Sequence, residues 1–142
     1  MTSCDGTLRG FDERSFPISK QKLEVAIQLL YENNPESIIP DKWQEKDDWV
    51  QRGYGFLDTN IFYLEASPEE MYYVSYIGDE EMLNDKTHIN IAIRSVFTAK
   101  NRNWLNVDKF TDEERERIEK KFDMEIISKL EKYTGVKSIR QD

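Results

Sequence analysis

The stretch Ile61-Phe62-Tyr63-Leu64-Glu65-Ala66-Ser67-Pro68-Glu69-Glu70-Met71-Tyr72-Tyr73-Val74-Ser75-Tyr76-Ile77 places a β-hairpin near the middle of the chain. Its two ends are rich in β-branched and aromatic residues, which suit a pleated and half-buried surface, and Ser67-Pro68-Glu69-Glu70 between them has turn composition. Successive side chains of a strand point to opposite faces. Tyr72, Val74 and Tyr76 therefore share one face of the second strand, and Met71, Tyr73, Ser75 and Ile77 share the other. Periodicity alone leaves open which of these rows meets the core.

Gly78-Asp79-Glu80-Glu81 ends that strand. Beyond a polar connection, Ile89, Ile91 and Ile93 alternate with Asn90, Ala92 and Arg94, and the run continues through Val96-Phe97, the clearest half-buried strand in the sequence. A further strand around Tyr54 to Leu57 would complete a sheet of three or four members.

Two helices flank this β-rich centre. Leu23, Ala26, Ile27 and Leu30 recur at helical spacing after Ser19, whose hydroxyl can accept from an otherwise orphan backbone N–H, and Asn33-Asn34-Pro35 stops the run. This predicts a helix over residues 20–33, with Lys20, Lys22, Glu24 and Gln28 outside or flanking its apolar stripe. Near the other terminus, Thr111-Asp112-Glu113-Glu114 matches a capping box. Ile118, Phe122, Ile126, Leu130 and Tyr133 follow at three- or four-residue intervals, and Gly135 supplies a C-terminal stop. At 1.5 Å per residue such a helix is roughly 34 Å long, comparable to a whole domain, so it is expected to lie across the sheet. The fold class that follows is α+β: an antiparallel sheet of three or four strands packed against an N-terminal and a C-terminal helix.

The chain has 142 residues, a length that favours one domain able to bury most of its apolar groups without metal or disulfide. Its 20 Lys+Arg against 28 Asp+Glu leave a formal charge of −8, which disfavours nucleic acid and anionic membranes, because the bases are interleaved with acids and form no clustered patch. The electrostatic partner such a surface suits is a basic patch on another protein, or a cation. No apolar run reaches the length of a membrane-spanning helix.

A single cysteine, Cys4, excludes an internal disulfide and zinc sites built on paired cysteines. Met1-Thr2-Ser3-Cys4 resembles the end of a bacterial lipoprotein signal, in which a Leu-type residue and two small residues precede the lipid-bearing cysteine; Met1 stands in the Leu-type position. The resemblance covers four residues. It implies lipid attachment at Cys4, a location in the bacterial envelope or periplasm, and a tether ahead of the fold. The polar stretch from Cys4 to Arg14 suits an ordinary cysteine in a frayed tail equally well, and a cytoplasmic location then follows. On either reading residues 1–15 are expected to be a flexible tail and residues 16–142 a single α+β domain.

Residues that carry chemistry are sparse. The one histidine, His88, lies three residues from Asp85 at the mouth of a strand and cannot by itself define a triad or a common zinc set. Asp79, Glu80, Glu81 and Asp85 could gather a hard cation, yet they lack the pattern of an EF-hand loop. Gly53-Tyr54-Gly55 matches neither a P-loop nor a dinucleotide fingerprint, so no nucleotide or other cofactor is indicated.

What stands out is the aromatic content. With helices on one face of the sheet, several of the tyrosines should line the other. Exposed Tyr72 and Tyr76 beside Asp79, Glu80 and Glu81, together with Trp43 and Trp49, would form an aromatic and acidic surface of the kind that binds proteins. The competing arrangement is a two-sided core in which the Trp43/Trp49 segment covers the second face. The leading expectation is a non-enzymatic protein-binding module, of which an inhibitor or immunity-type lipoprotein that blocks a basic site is one form. A small enzyme using carboxylates and His88 is the second, and a structural domain that self-associates through its sheet edge the third.

Overall fold

The computed structural model describes residues 11–49, 51 and 58–141. Among them the chain forms an antiparallel sheet of β1 (Glu13–Phe16), β2 (Thr59–Leu64), β3 (Glu70–Ile77), β4 (Ile89–Thr98), β5 (Asn103–Leu105) and β6 (Ile139–Gln141). The order across it is β2-β3-β4-β1-β6, with β5 also paired to β4. The α+β class holds, and the sheet is six-stranded, wider than the expected three or four. The hairpin is β2 and β3, in register from Thr59 opposite Ser75 to Leu64 opposite Glu70. The strand expected around Tyr54 to Leu57, Gly53-Tyr54-Gly55 and Cys4 lie outside the described residues.

The extra strands are three or four residues long and draw their order from longer neighbours. β4 has ten residues, enough to hold β1 against Ile89–Ile91 and β5 against Val96–Thr98 on the same edge. β1 corrects the expected domain boundary. Phe11 is buried and Glu13–Phe16 is a strand flanked by β4 and β6, so the folded body includes residues assigned above to the tail. Arg14 is 1% exposed and donates to Glu119 Oε1 at 2.9 Å, to Asp123 Oδ1 at 2.8 Å and to the Asp12 carbonyl at 2.7 Å. A short polar segment is thereby anchored by one satisfied guanidinium instead of an apolar row.

Helix α1 (Lys20–Asn33) is capped by Ser19 and buries Leu23, Ala26, Ile27 and Leu30. A four-residue helix, α2 (Glu80–Leu83), follows β3. The long C-terminal element runs as α3 (Asp112–Phe122), a π-helical turn (Asp123–Ile127) and α4 (Ser128–Thr134). Both halves of the Thr111/Glu114 capping box are formed, and Gly135 ends the element at φ 76°, in the left-handed region that favours glycine. Ile118, Phe122, Ile126 and Leu130 are spaced by four residues, and at about 100° per residue that spacing drifts around an ideal α-helix. The wider π turn between Phe122 and Ser128 offsets the drift, and all four side chains are buried.

The helices cover the face that carries Phe62, Leu64, Tyr72, Val74, Tyr76, Ile89, Ile91, Ile93 and Val96. A bulge where Tyr73 pairs with Ser95 and Val74 with Ile93 inserts Arg94 as an extra residue, which returns Val96 to the side of Ile93 and turns Phe97 to the opposite side.

That opposite side is not open. Trp43, Trp49, Tyr63, Met71, Tyr73, Phe97 and Trp104 form a second buried cluster. Its cover is the connection after α1, which makes 3-10 turns at Pro35–Ser37 and Asp41–Lys46. The hairpin turn fastens this cover. Glu69 Oε2 accepts from Trp43 Nε1 at 3.0 Å and from the Tyr63 hydroxyl, and pairs with Lys42 Nζ at 2.8 Å. Trp104 Nε1 donates to the Lys46 carbonyl at 2.7 Å. The two-sided core is therefore the arrangement adopted, and the expectation of an exposed tyrosine face is corrected. Burying aromatic area on both sides is worth roughly 25 cal/mol per Å², which a covering segment collects and an open face forgoes.

Candidate functional site

The described parts of the sequence-predicted surface divide three ways. Tyr72, Trp43 and Trp49 are core residues; Tyr72 packs edge-on against Phe122 and gives its hydroxyl to Glu70 at 3.0 Å. Asp79, Glu80 and Glu81 are exposed, and Asp79 caps α2 by accepting from the Met82 N–H at 2.9 Å. Tyr76 is 6% exposed and borders a cleft. His88 lies on an exposed turn, its Nδ1 3.4 Å from Asp85 Oδ2, and lines none of the cavities described below. Thr87 holds the Asp85 carboxylate through its hydroxyl and its amide, which lowers the Asp85 pKa and leaves it ionised. No group of three or more potential metal ligands is found among the described residues.

The cleft lies where α1 passes the edge strand β2. Its larger part is a cavity of about 420 Å³ walled mainly by Tyr31 of α1, Ile38 and Ile39 of the connection, Ile61 of β2 and Tyr73 of β3, with Asp47 also lining it. Tyr31 stacks on Phe62 with ring centroids 5.4 Å apart and gives its hydroxyl to the Ile61 carbonyl at 2.5 Å. One outward carbonyl of the edge strand is thereby occupied, and the 3-10 turn at Pro35–Ser37 also packs on β2. This coverage blunts the sheet edge against strand addition.

A second cavity of about 240 Å³ continues the first toward the start of β2 and is walled by Glu24, Ile27, Asp58 and Tyr76. The two share Gln28, Thr59 and Asn60, so they form one cleft with an apolar end and a polar end. Lys20 pairs with Asp58 and sits over the Tyr76 ring, 5.2 Å from its centroid. The Tyr76 hydroxyl is buried and has no hydrogen-bond partner among the described residues. Burial, reinforced by the Glu24 and Asp58 carboxylates, raises its pKa far above the ordinary phenol value, so it stays protonated. The acidic loop stands at this same end of the sheet: the Tyr76 amide donates to the Asp58 carbonyl at 3.2 Å, and Asp79 follows three residues later.

Sequence reasoning picked out Tyr76 as a candidate but missed its neighbours Glu24, Gln28, Asp58 and Asn60. The available signal was weak: Glu24 and Gln28 lie one helical turn apart beside the buried stripe, which is the pattern of any solvated helix face.

No helix among the described residues is long and apolar enough to cross a membrane. Comparison with protein-family profiles, with characterised proteins and with solved structures finds no match to this chain.

Proposed function

We propose that this chain is a protein-binding module that receives a segment of its partner in the cleft between α1 and β2. The observation that carries this reading is the continuity of the two cavities: an apolar side chain suits the Tyr31, Ile39 and Ile61 end, and a basic neighbour suits the Glu24 and Asp58 end. Net charge supports a basic partner, since the chain carries −8 and the exposed acids Asp79, Glu80 and Glu81 follow β3 at the same end of the sheet as Tyr76. Binding sites commonly combine an apolar cavity with a few convergent polar groups. In its more specific form the module is an inhibitor or immunity-type protein that blocks a basic site. The resemblance at Met1-Thr2-Ser3-Cys4 adds a bacterial envelope location with lipid on Cys4, which membrane fractionation of the full-length Cys4→Ser variant tests.

The docking reading is tested by selecting a displayed random-peptide library on the full chain and mapping the winning peptides by amide chemical shifts. The expected footprint covers Gln28, Thr59, Asn60 and Ile61. A footprint elsewhere, or no enrichment, overturns the assignment of the cleft.

A further inference from the structure

We propose that the polar end of the cleft is a subsite for one lysine ammonium group of the partner segment. This rests on the docking reading above and names the chemistry of its polar half.

Three groups facing that cavity have unused hydrogen-bonding capacity among the described residues. The Tyr76 hydroxyl is buried without a partner. Glu24 makes no ion pair, and the Asn60 side chain makes no hydrogen bond, whereas the other carboxylate at the cavity, Asp58, is already held by Lys20. A buried hydroxyl without a partner costs free energy that an incoming polar group recovers, so an apolar occupant fits poorly. Charge selects the sign of that group. Glu24 and Asp58 contribute −2 and Lys20 contributes +1, leaving −1 at the cavity, which attracts a cation and repels an anion.

Geometry selects the kind of cation. An ammonium is a compact charge whose three N–H donors can be shared among separate acceptors, here the Tyr76 hydroxyl oxygen, the Asn60 amide oxygen and the Glu24 carboxylate. A guanidinium is recognised best by a carboxylate that receives it in two parallel bonds; Asp58, just ahead of β2, is engaged with Lys20, so only Glu24 is left for that mode, whereas an ammonium can use the Tyr76, Asn60 and Glu24 acceptors one bond each. Lys20 also supplies a precedent within the site: an ammonium over the Tyr76 ring and against a carboxylate is an arrangement the chain already stabilises.

The test uses n-butylammonium chloride, which reproduces the lysine side chain without its backbone, and n-butanol as the neutral control of the same length. Both are titrated at constant ionic strength against the full chain, with the Tyr76 ring protons and the Asn60 amide as reporters. Saturable shifts with n-butylammonium that are about tenfold weaker or absent with n-butanol are expected, with about tenfold weakening in Glu24→Gln and again in Tyr76→Phe. Tyr76→Phe removes a buried hydroxyl that lacks a partner, so its melting temperature should stay level or rise, separating lost recognition from lost folding. Equal responses to the two probes, absence of saturation in the millimolar range, or unchanged affinity in both variants overturns the subsite. Cleft-binding peptides without a basic residue would overturn it too and leave the docking reading standing. Saturable n-butylammonium binding alongside peptides that map elsewhere would retain the subsite and remove the docking reading.

Discussion

The indole of Trp49 lies flat on the phenol ring of Tyr73, with centroids 3.9 Å apart and planes 12° apart. Trp104 meets both rings edge-on, at 5.1 Å from Trp49 and 6.1 Å from Tyr73. Through this stack the connection after α1 closes the sheet face that an alternating tyrosine pattern would leave open, and the cleft lies at the sheet edge instead.

Trp49→Ala should therefore unfold the second cluster's cover. Removing a buried aromatic of this size costs about 3–5 kcal/mol, and urea unfolding of the variant should show a midpoint lowered accordingly. A loss below about 1 kcal/mol would mean that the stack contributes little to holding the segment.

Glu69 makes that cover sensitive to acid. Bonds from Lys42, Tyr63 and Trp43 pull its carboxyl from 4.5 down to about 2. A carboxylate whose native pKa is depressed binds protons less readily in the folded state, so its contribution is complete above the unfolded value and is lost as pH falls through the native one. Between about pH 4.5 and 2 the wild type should lose stability more steeply than Glu69→Gln, measured by urea midpoints at each pH. Parallel curves would dissociate Glu69 from the acid response.

Arg14 and Glu119 are both nearly inaccessible, and removing Arg14 leaves the Glu119 carboxyl buried without the guanidinium that offsets its charge. Arg14→Leu should cost about 3–5 kcal/mol, and Arg14→Leu/Glu119→Leu should recover much of that loss, because two apolar groups replace a buried pair without an orphan charge. A double variant no more stable than Arg14→Leu would show that Asp123 and the Asp12 carbonyl, not Glu119, are the partners that matter.

Tyr31→Phe keeps the stack on Phe62 and deletes the bond to the Ile61 carbonyl. A stability loss of about 1 kcal/mol is expected, with faster amide exchange confined to β2. Unchanged exchange along Thr59–Leu64 would mean that this hydroxyl does not secure the edge.

The acidic loop offers a test of electrostatic attraction that spares the fold. Glu80→Lys/Glu81→Lys reverses two exposed charges and leaves Asp79 in place as the cap of α2. Association of the cleft-selected peptides should slow and lose part of its salt dependence, as followed by stopped-flow fluorescence. Identical rates would remove the loop from the recognition surface.

Much of the fold was legible because its signals are local. The helix over Lys20–Asn33, the Thr111/Glu114 capping box, the stop at Gly135 and the β2–β3 hairpin each depend on residues within a few positions of one another. The short strands were not legible. Glu13–Phe16 and Ile139–Gln141 are too brief to establish a period, and they become strands only because β4 and one another supply the hydrogen bonds. The candidate site was less legible still. Tyr76 drew notice for the wrong surface, while Glu24 and Asp58 approach it from elements far apart in the chain.

The amino-acid order thus settles the helices, the central hairpin, the acidic balance and the presence of two aromatic rows on one strand, because hydrogen bonding and periodicity act over single turns and adjacent pleats. That both rows are covered, and that a hydroxyl unpartnered among the described residues shares a cavity with Glu24 and Asp58, is decided only in three dimensions. Trp43 and Trp49 reach Phe97, Trp104 and Tyr73 across long stretches of chain, and the Arg94 bulge changes which side of β4 is presented. Such contacts leave no local pattern, since their free energy comes from surfaces that meet only when the whole chain has closed.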